Sequence, residues 1–291
     1  MNKMTSNNNI NIINHSETFD TLLEKSVTVV TAYYRIKSKH SAQTYDEWIR
    51  NLLLNVGNSC KMVIFTSPEL LTYLNSMCKK NKKGAEFTVI SIPMKDFKIV
   101  QEYPPDVWSH QYSLDPQKAC GRTIECYLIW NSKLWFIKQA MERNIYKSDK
   151  YVWIDVGSFR NNNPSVCASV LERFPSYDRV SNDKIDITLI RPYLPHEMNQ
   201  KIFFNSVHLG GMFGGGVHAI HQLYELFYES LDFYLSKNYF AGCDQQILST
   251  CYMRNPKLFN LVTKKNPHDT WDVWFYLYKY WNITPTGAYD K

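Results

Sequence analysis

The sequence predicts an α/β fold, a single domain with a central, mostly parallel sheet flanked by helices. Two observations support this prediction. Short β-branched and aromatic runs alternate with longer segments of helical spacing through the first half of the chain, and this order produces parallel strands joined by right-handed crossovers. No internal repeat and no Pro/Gly/Ser-rich linker interrupts the 291 residues, a length that fits one large domain.

Local patterns predict the elements in order. Strands are expected where runs are apolar and β-branched, at residues 27–34, 62–65, 87–92, 151–156, 185–190 and 207–213. Helices are expected where apolar residues recur with helical spacing, at residues 44–56, 67–77, 123–143, 217–235 and 243–253. Residues 1–22 are Asn-rich and aperiodic, so they are predicted to be a disordered or loosely attached tail, which leaves 23–291 as the folded domain.

The composition and net charge indicate which kinds of molecule the protein binds. Hydrophobic residues make up 44% and charged residues 21%, which are ordinary globular values. The net charge of +6 is not concentrated in a stripe, so a nucleic-acid partner is not expected, whereas an anionic small ligand such as a nucleotide sugar is compatible. Seven cysteines without a C-x-x-C pair, no secretory signal and no membrane-spanning stretch lead us to expect a cytoplasmic protein.

Asp155 is the first candidate for chemistry. It ends the apolar run YVWID, and ligands of open parallel sheets bind beyond the carboxyl ends of the strands. Gly157 follows and allows a ligand or another backbone to approach closely. In the functional interpretation, Asp155 coordinates a Mg²⁺ or Mn²⁺ ion that is itself bound to a diphosphate. In the alternative, Asp155 only forms a turn or caps a helix.

A glycine-rich run is the second candidate. Five of the seven residues at 210–216 are glycine, and Gly211, Gly214 and Gly215 are candidates for main-chain contact with a nucleotide sugar. The alternative is a strand that ends in a loose turn before the next helix.

Asp244 is the third candidate, at the start of a predicted helix. A carboxylate there can act as the catalytic base toward an acceptor hydroxyl, and Gln245 beside it is a candidate donor contact. The alternative is that the helix dipole alone explains an acid in the first turn. Asp155 and Asp244 lie on different elements that can converge on one pocket.

The exit of the first strand joins aromatic rings to cations. Thr31, Tyr33, Arg35 and Lys39 are candidate nucleotide-sugar contacts, with the Tyr ring stacking on a base and the cations neutralising phosphate. The alternative is a solvated basic loop.

Three further polar residues are candidates. Asn131 and Lys133 lie on the long predicted helix between two tryptophans, where they can face a donor or form an ordinary polar surface. His268 lies in a late loop, where it can close over a metal ion.

Several of these segments, in this order, resemble the HtrL/YibB-type family. The matching pieces are 30–34 (VTAYY), 37–41 (KSKHS), 45–49 (YDEWI), 63–66 (VIFT), 129–133 (IWNSK), 153–157 (WIDVG) and 210–215 (GGMFGG). The resemblance covers residues from about 27 to about 250 and implies a nucleotide-sugar glycosyltransferase of the GT-A fold, from a family associated with bacterial surface-polysaccharide synthesis. The implied reaction moves a hexose from a UDP-sugar to a glycan or protein hydroxyl, with Mn²⁺ or Mg²⁺ as cofactor.

The sequence departs from the metal-binding motif that the resemblance implies. The Asp-x-Asp pattern is replaced by Asp155-Val156-Gly157, so the second acid is missing. Asp155 is then expected either to share a metal with His268 or to contact the ribose. The alternative function is a non-catalytic sugar-nucleotide-binding protein that retains the fold.

Overall fold

The computed structural model describes residues 23–198, 202–203, 207–264, 266, 268–269 and 271–282; the predicted tail at 1–22 lies outside the described residues. Within them the strands are β1 (Glu24–Tyr33), β2 (Lys61–Thr66), β3 (Glu86–Ser91), β4 (Ser148–Trp153), β5 (Ile185–Leu189), β6 (Leu209–Gly216) and β7 (Phe259–Val262).

Ten α-helices lie in the described part of the chain, and none of them is long and apolar enough to cross a bilayer. They are α1 (Ala42–Asn55), α2 (Leu71–Cys78), α3 (Lys98–Glu102), α4 (Pro105–Leu114), α5 (Ile124–Asn131), α6 (Lys133–Arg143), α7 (Pro164–Leu171), α8 (Val217–Ser236), α9 (Asp244–Arg254) and α10 (Leu277–Tyr280).

The strands form one sheet in the order β3–β2–β1–β4–β6–β5–β7. Every pairing is parallel except the two made by β6, which runs antiparallel to both β4 and β5. The prediction of an α/β domain with a mostly parallel central sheet is therefore confirmed.

The sheet lies between two helical layers, because alternate side chains of each strand point to opposite faces. In β1, Val30 and Ala32 join a core with residues of α5, α6, α8 and α9. Val29 and Tyr33 join a second core with residues of α1, α2, α7 and α10. Burial on both faces explains why the central strands are continuous apolar runs rather than alternating ones.

The single helix expected at 123–143 is wrong, because the structure breaks it at Ser132. The φ and ψ of Ser132 are −97° and 0°, outside the helical values, and it ends α5 and starts α6. The polar side chains on either side of the break are both buried. Asn131 donates through Nδ2 to the carbonyl of Ala241, and Lys133 extends to two carboxylates. The break lets both side chains reach partners outside their own helix.

The strand order creates a switch point between β1 and β4. The chain moves from β1 to β2 and β3 on one side of β1, whereas β4 lies on the other side. The loops that leave the carboxyl ends of β1 and β4 therefore diverge, and a crevice opens between them. Such a crevice is where open α/β sheets bind ligands.

Candidate functional site

A cavity of about 600 Å³ opens at the carboxyl ends of β1 and β4. Its walls come from the loops after these two strands, the junction of α5 and α6, the start of β6, the start of α9 and the segment before α10. The cavity brings together most of the site residues predicted from the sequence: Tyr33, Arg35, Lys39, Lys133, Asp155, Gly157, Gly211, Asp244 and Gln245.

A buried lysine joins two aspartates in this cavity. The Nζ of Lys133 lies 2.9 Å from Oδ1 of Asp155 and 2.8 Å from Oδ2 of Asp244. It also donates to the carbonyl oxygen of Gly211 at 3.2 Å. The side chains of Lys133 and Asp244 are 4% and 5% exposed, whereas that of Asp155 is 34% exposed. Asp155 is therefore the acid of this cluster that a ligand reaches most easily.

Burial and ion pairing act in opposite directions on this cluster. Burial lowers the pKa of Lys133, but the charges of Asp155 and Asp244 outweigh it and raise that pKa above the ordinary value, so the ammonium stays charged. Burial raises the pKa of Asp244 above its usual value, although the Lys133 charge opposes the rise. A raised pKa makes Asp244 a stronger base than an exposed aspartate.

Rigid elements position the two acids. Asp155 lies two residues beyond β4, and the indole Nε1 of Trp153 donates to its Oδ1 at 2.8 Å. Asp244 is the first residue of α9. The segment before it is fixed by the Asn131 contact to Ala241, and Gln245 donates from Nε2 to the carbonyl of Leu209 at 2.9 Å.

Gly211 leaves the space that the ion pair fills. A Cβ at this position would lie 2.6 Å from Oδ2 of Asp155 and 3.0 Å from Nζ of Lys133. At neighbouring Gly210, the nearest atom to a Cβ would be 3.4 Å away, on Thr188, which is ordinary contact.

We expect Gly211→Ala to destabilise the folded protein by about 1–2 kcal/mol, because a Cβ would push the Asp155 carboxylate away from Lys133. Gly210→Ala is the matched control, and we expect it to stay within about 0.5 kcal/mol of the wild type. Thermal unfolding of the three proteins measures the difference. Equal melting temperatures for both variants would mean that the pair does not pack against Gly211.

The segment after β1 forms part of the cavity rim, but the Tyr33 ring, which was predicted to stack on a base, is buried. Tyr33 is 1% exposed, and its hydroxyl donates to Asp46, so burial leaves its ring no open face on which a base could stack. Arg35 pairs with the same Asp46 at 2.8 Å and lies over the ring of Tyr73. Lys39 is exposed at the cavity rim.

Five predicted site residues do not line the cavity. Thr31 is fully buried within β1, and Asn131 holds Ala241 as described. Gly214 and Gly215 lie in the middle of the sheet, where a Cβ would come within 2.5 Å of Val152 and 2.3 Å of the Lys184 carbonyl. Close packing of neighbouring chain segments thus explains these two glycines. The fifth residue is His268, which is exposed.

The structure does not bring the two predicted metal ligands together, because Asp155 lines the cavity and His268 does not. Among the described residues, no three His, Cys, Asp or Glu side chains lie close enough to hold a metal ion. Asp155 and Asp244 instead face one ammonium, and His268 lies outside the cavity lining. Mg²⁺ is commonly held by one or two carboxylates together with substrate phosphates, and in the described cavity both acids are already paired with Lys133.

The structure adds cavity residues that the sequence analysis did not select. Arg160 lies five residues after Asp155, and Trp130 and Trp274 contribute partly exposed rings. No motif marks Arg160 or Trp274; their only signals are the position of Arg160 in the loop after β4 and the position of Trp274 in the aromatic-rich segment 271–281.

Comparisons with known proteins place the chain in a family. The family model described as "Bacterial protein of unknown function (HtrL_YibB)" matches residues 25–281. Protein HtrL of Escherichia coli (strain K12) is 26% identical over 263 residues, which cover 82% of this chain and 88% of that protein.

Two solved structures are also similar. The apo form of mouse xyloside xylosyltransferase 1 has 13% identity and a TM-score of 0.45, with 81% of this chain and 85% of that one covered. The glycosyltransferase GlyE of Streptococcus pneumoniae TIGR4 has 10% identity and a TM-score of 0.37, with 81% and 45% covered. The family match itself spans nearly the whole described region and confirms the resemblance in the sequence motifs: the chain belongs to the HtrL/YibB family.

Proposed function

We propose that this chain is a glycosyltransferase that transfers a hexose from a nucleotide sugar, taken here as a UDP-sugar, to a hydroxyl of a glycan or protein. The observation that carries the proposal is the Asp155–Lys133–Asp244 cluster in a cavity at the switch point of the sheet. A single cluster there offers both an accessible acid for the sugar and a buried acid of raised pKa for proton transfer.

The cavity suits a nucleotide sugar in size and chemistry. Its volume of about 600 Å³ lies within the range of small-ligand sites. Trp130 and Trp274 provide rings on which a base or a sugar can stack. Lys39 and Arg160 at the rim provide positive charge for the phosphates.

The two acids have different tasks in the proposed reaction. Oδ1 of Asp155 accepts from Trp153 and pairs with Lys133, so Oδ2 is left to accept hydrogen bonds from the hydroxyls of the donor. Asp244 takes the proton of the acceptor hydroxyl while the oxygen of that hydroxyl forms a bond to the anomeric carbon of the donor sugar. The bond from that carbon to the diphosphate breaks, and its electron pair leaves with the nucleoside diphosphate.

Binding and turnover measurements test this function. We expect UDP to raise the melting temperature of the full chain and to quench the fluorescence of the cavity tryptophans, and we expect slow hydrolysis of at least one UDP-hexose. Binding without turnover on any donor or acceptor would favour the non-catalytic sugar-nucleotide-binding protein. Absence of any shift with UDP and with other nucleoside diphosphates would contradict a nucleotide-sugar site.

A further inference from the structure

We propose that Arg160, together with Lys39 and His40, binds the diphosphate of the donor, and that Arg160 and Lys39 supply the positive charge without a divalent cation. This inference rests on the proposed function, because it names the residues that hold the phosphates of the nucleotide sugar. It depends on which cations of the cavity lining remain available for an anion.

The other cations of the lining already have carboxylate partners. Lys133, Arg35 and Arg122 each lie within 3.4 Å of an aspartate oxygen. Lys133 also uses its remaining N–H on the carbonyl of Gly211, so its three donors are engaged. These three side chains therefore neutralise the protein's own acids and have little charge to offer a phosphate.

Arg160 differs from them in its surroundings. No carboxylate lies within ion-pair distance of Arg160 in the described part of the chain, and its Nε donates to the carbonyl of Gly157 at 2.9 Å. Its Cζ lies 4.5 Å from the ring centroid of Trp48 and 4.9 Å from that of Phe275. The two rings fix a guanidinium whose four remaining N–H groups can bind phosphate oxygens in pairs.

Lys39 and His40 also line this part of the cavity, Lys39 as a second cation and His40 as an imidazole. The ring of His40 packs on the edge of Trp48, the same residue that Arg160 covers, with centroids 4.9 Å apart. The pKa of His40 is lowered by burial and then by the positive charges of Arg160 and Lys39. Three basic groups thus face one region of the cavity rim. Each disfavours the charged form of the others unless an anion lies among them.

Gly157 allows this rim to form. A Cβ there would lie 3.0 Å from Cε1 of Tyr45 and 3.1 Å from Cε3 of Trp48. The glycine lets the loop after β4 approach α1, so that Arg160 reaches Trp48. A fixed guanidinium in this place stabilises the charge that develops on the leaving diphosphate, the task that a metal ion performs where a ligand set for one exists.

The experiment is titration calorimetry of the full chain with UDP, in EDTA and in Mn²⁺, for the wild type and three variants. We expect the wild-type affinity to be the same in EDTA and in Mn²⁺. Arg160→Gln should weaken UDP binding by about 10- to 100-fold, the loss of one or two charge-assisted hydrogen bonds. The UDP affinity of Arg160→Lys should lie between that of the wild type and that of Arg160→Gln. Arg50→Gln removes the same charge from an exposed position on the helix that carries Trp48, and it should leave the affinity unchanged.

Inorganic diphosphate separates this inference from the proposed function. If the wild type binds inorganic diphosphate through Arg160 but does not bind UDP, the anion site is supported and the nucleotide donor is rejected. If UDP binds equally well to Arg160→Gln, or binds only when Mn²⁺ is present, the anion site is rejected and the nucleotide donor is retained. If neither ligand binds the wild type, both are rejected. Melting temperatures of all variants identify any loss that comes from misfolding.

Discussion

Lys133→Met is expected to lower the free energy of unfolding by about 3–5 kcal/mol at pH 8, the usual result of removing one partner from a buried ion pair. The variant keeps an unbranched apolar side chain of nearly the same length but leaves two carboxylates without their shared cation. Urea unfolding followed by tryptophan fluorescence measures the change.

The deficit should shrink as the pH falls. In the folded variant, burial without Lys133 raises the pKa of Asp244 further above its unfolded value, so the folded state binds the proton more tightly than the unfolded state. Stability is therefore lost as the pH rises through that raised pKa, and the variant should lie closer to the wild type at pH 5 than at pH 8.

Lys138→Met provides the control on the same helix. Lys138 lies over the ring of Tyr224 and is half-buried, so its replacement should cost less than about 1 kcal/mol and show no comparable pH dependence. If Lys133→Met and Lys138→Met gave equal, small and pH-independent losses, Lys133 would not be ion-paired in the folded protein.

Asp244→Asn is expected to slow sugar transfer by about 10²–10⁴-fold, the typical contribution of a general base. The amide keeps the shape of the carboxylate but cannot take the proton of the acceptor, so UDP affinity should change little. Steady-state turnover with a UDP-hexose, measured beside UDP binding, separates the two effects.

Asp155→Asn is the paired variant. Because Asp155 is the accessible acid, its replacement should weaken binding of the sugar nucleotide more than binding of UDP. Full turnover in Asp244→Asn, or an unchanged affinity for the sugar nucleotide in Asp155→Asn, would contradict this division of tasks.

The sequence predicted six of the seven described strands, and the positions of the two acids at the end of a strand and the start of a helix, because both depend on local patterns. The apolar run that ends at Trp153 places Asp155 just beyond a strand. The helical spacing that begins at residue 243 places Asp244 at the start of a helix. The short elements α3, α4, α7, α10 and β7 were not predicted, because segments of four to ten residues carry little periodicity.

Tertiary contacts were beyond the reach of local patterns. The ion pairs of Lys133 with both acids depend on the helix break at Ser132. They also depend on the space beside Gly211, a residue 78 positions away in the chain that has no side chain. The place of Arg160 between two rings needs helix α1 and the segment before α10 to meet. A glycine-rich run also does not reveal whether ligand or neighbouring backbone occupies the space beside it.

Strand β6 links Gly211, beside the Asp155–Lys133 pair, to the glycines at 214–216, which pack against neighbouring backbone and Val152. Each glycine gives up more conformational freedom on folding than other residues, about 0.5–1 kcal/mol relative to alanine, and contributes no side chain to pack. The strand is therefore ordered by its neighbours, and Val152 of β4 fills the space beside Gly214. A substitution that enlarged Val152 would displace the backbone of β6 and reach the Asp155–Lys133 pair through Gly211. Residues with no chemical task thus set how accurately the chemical groups are placed.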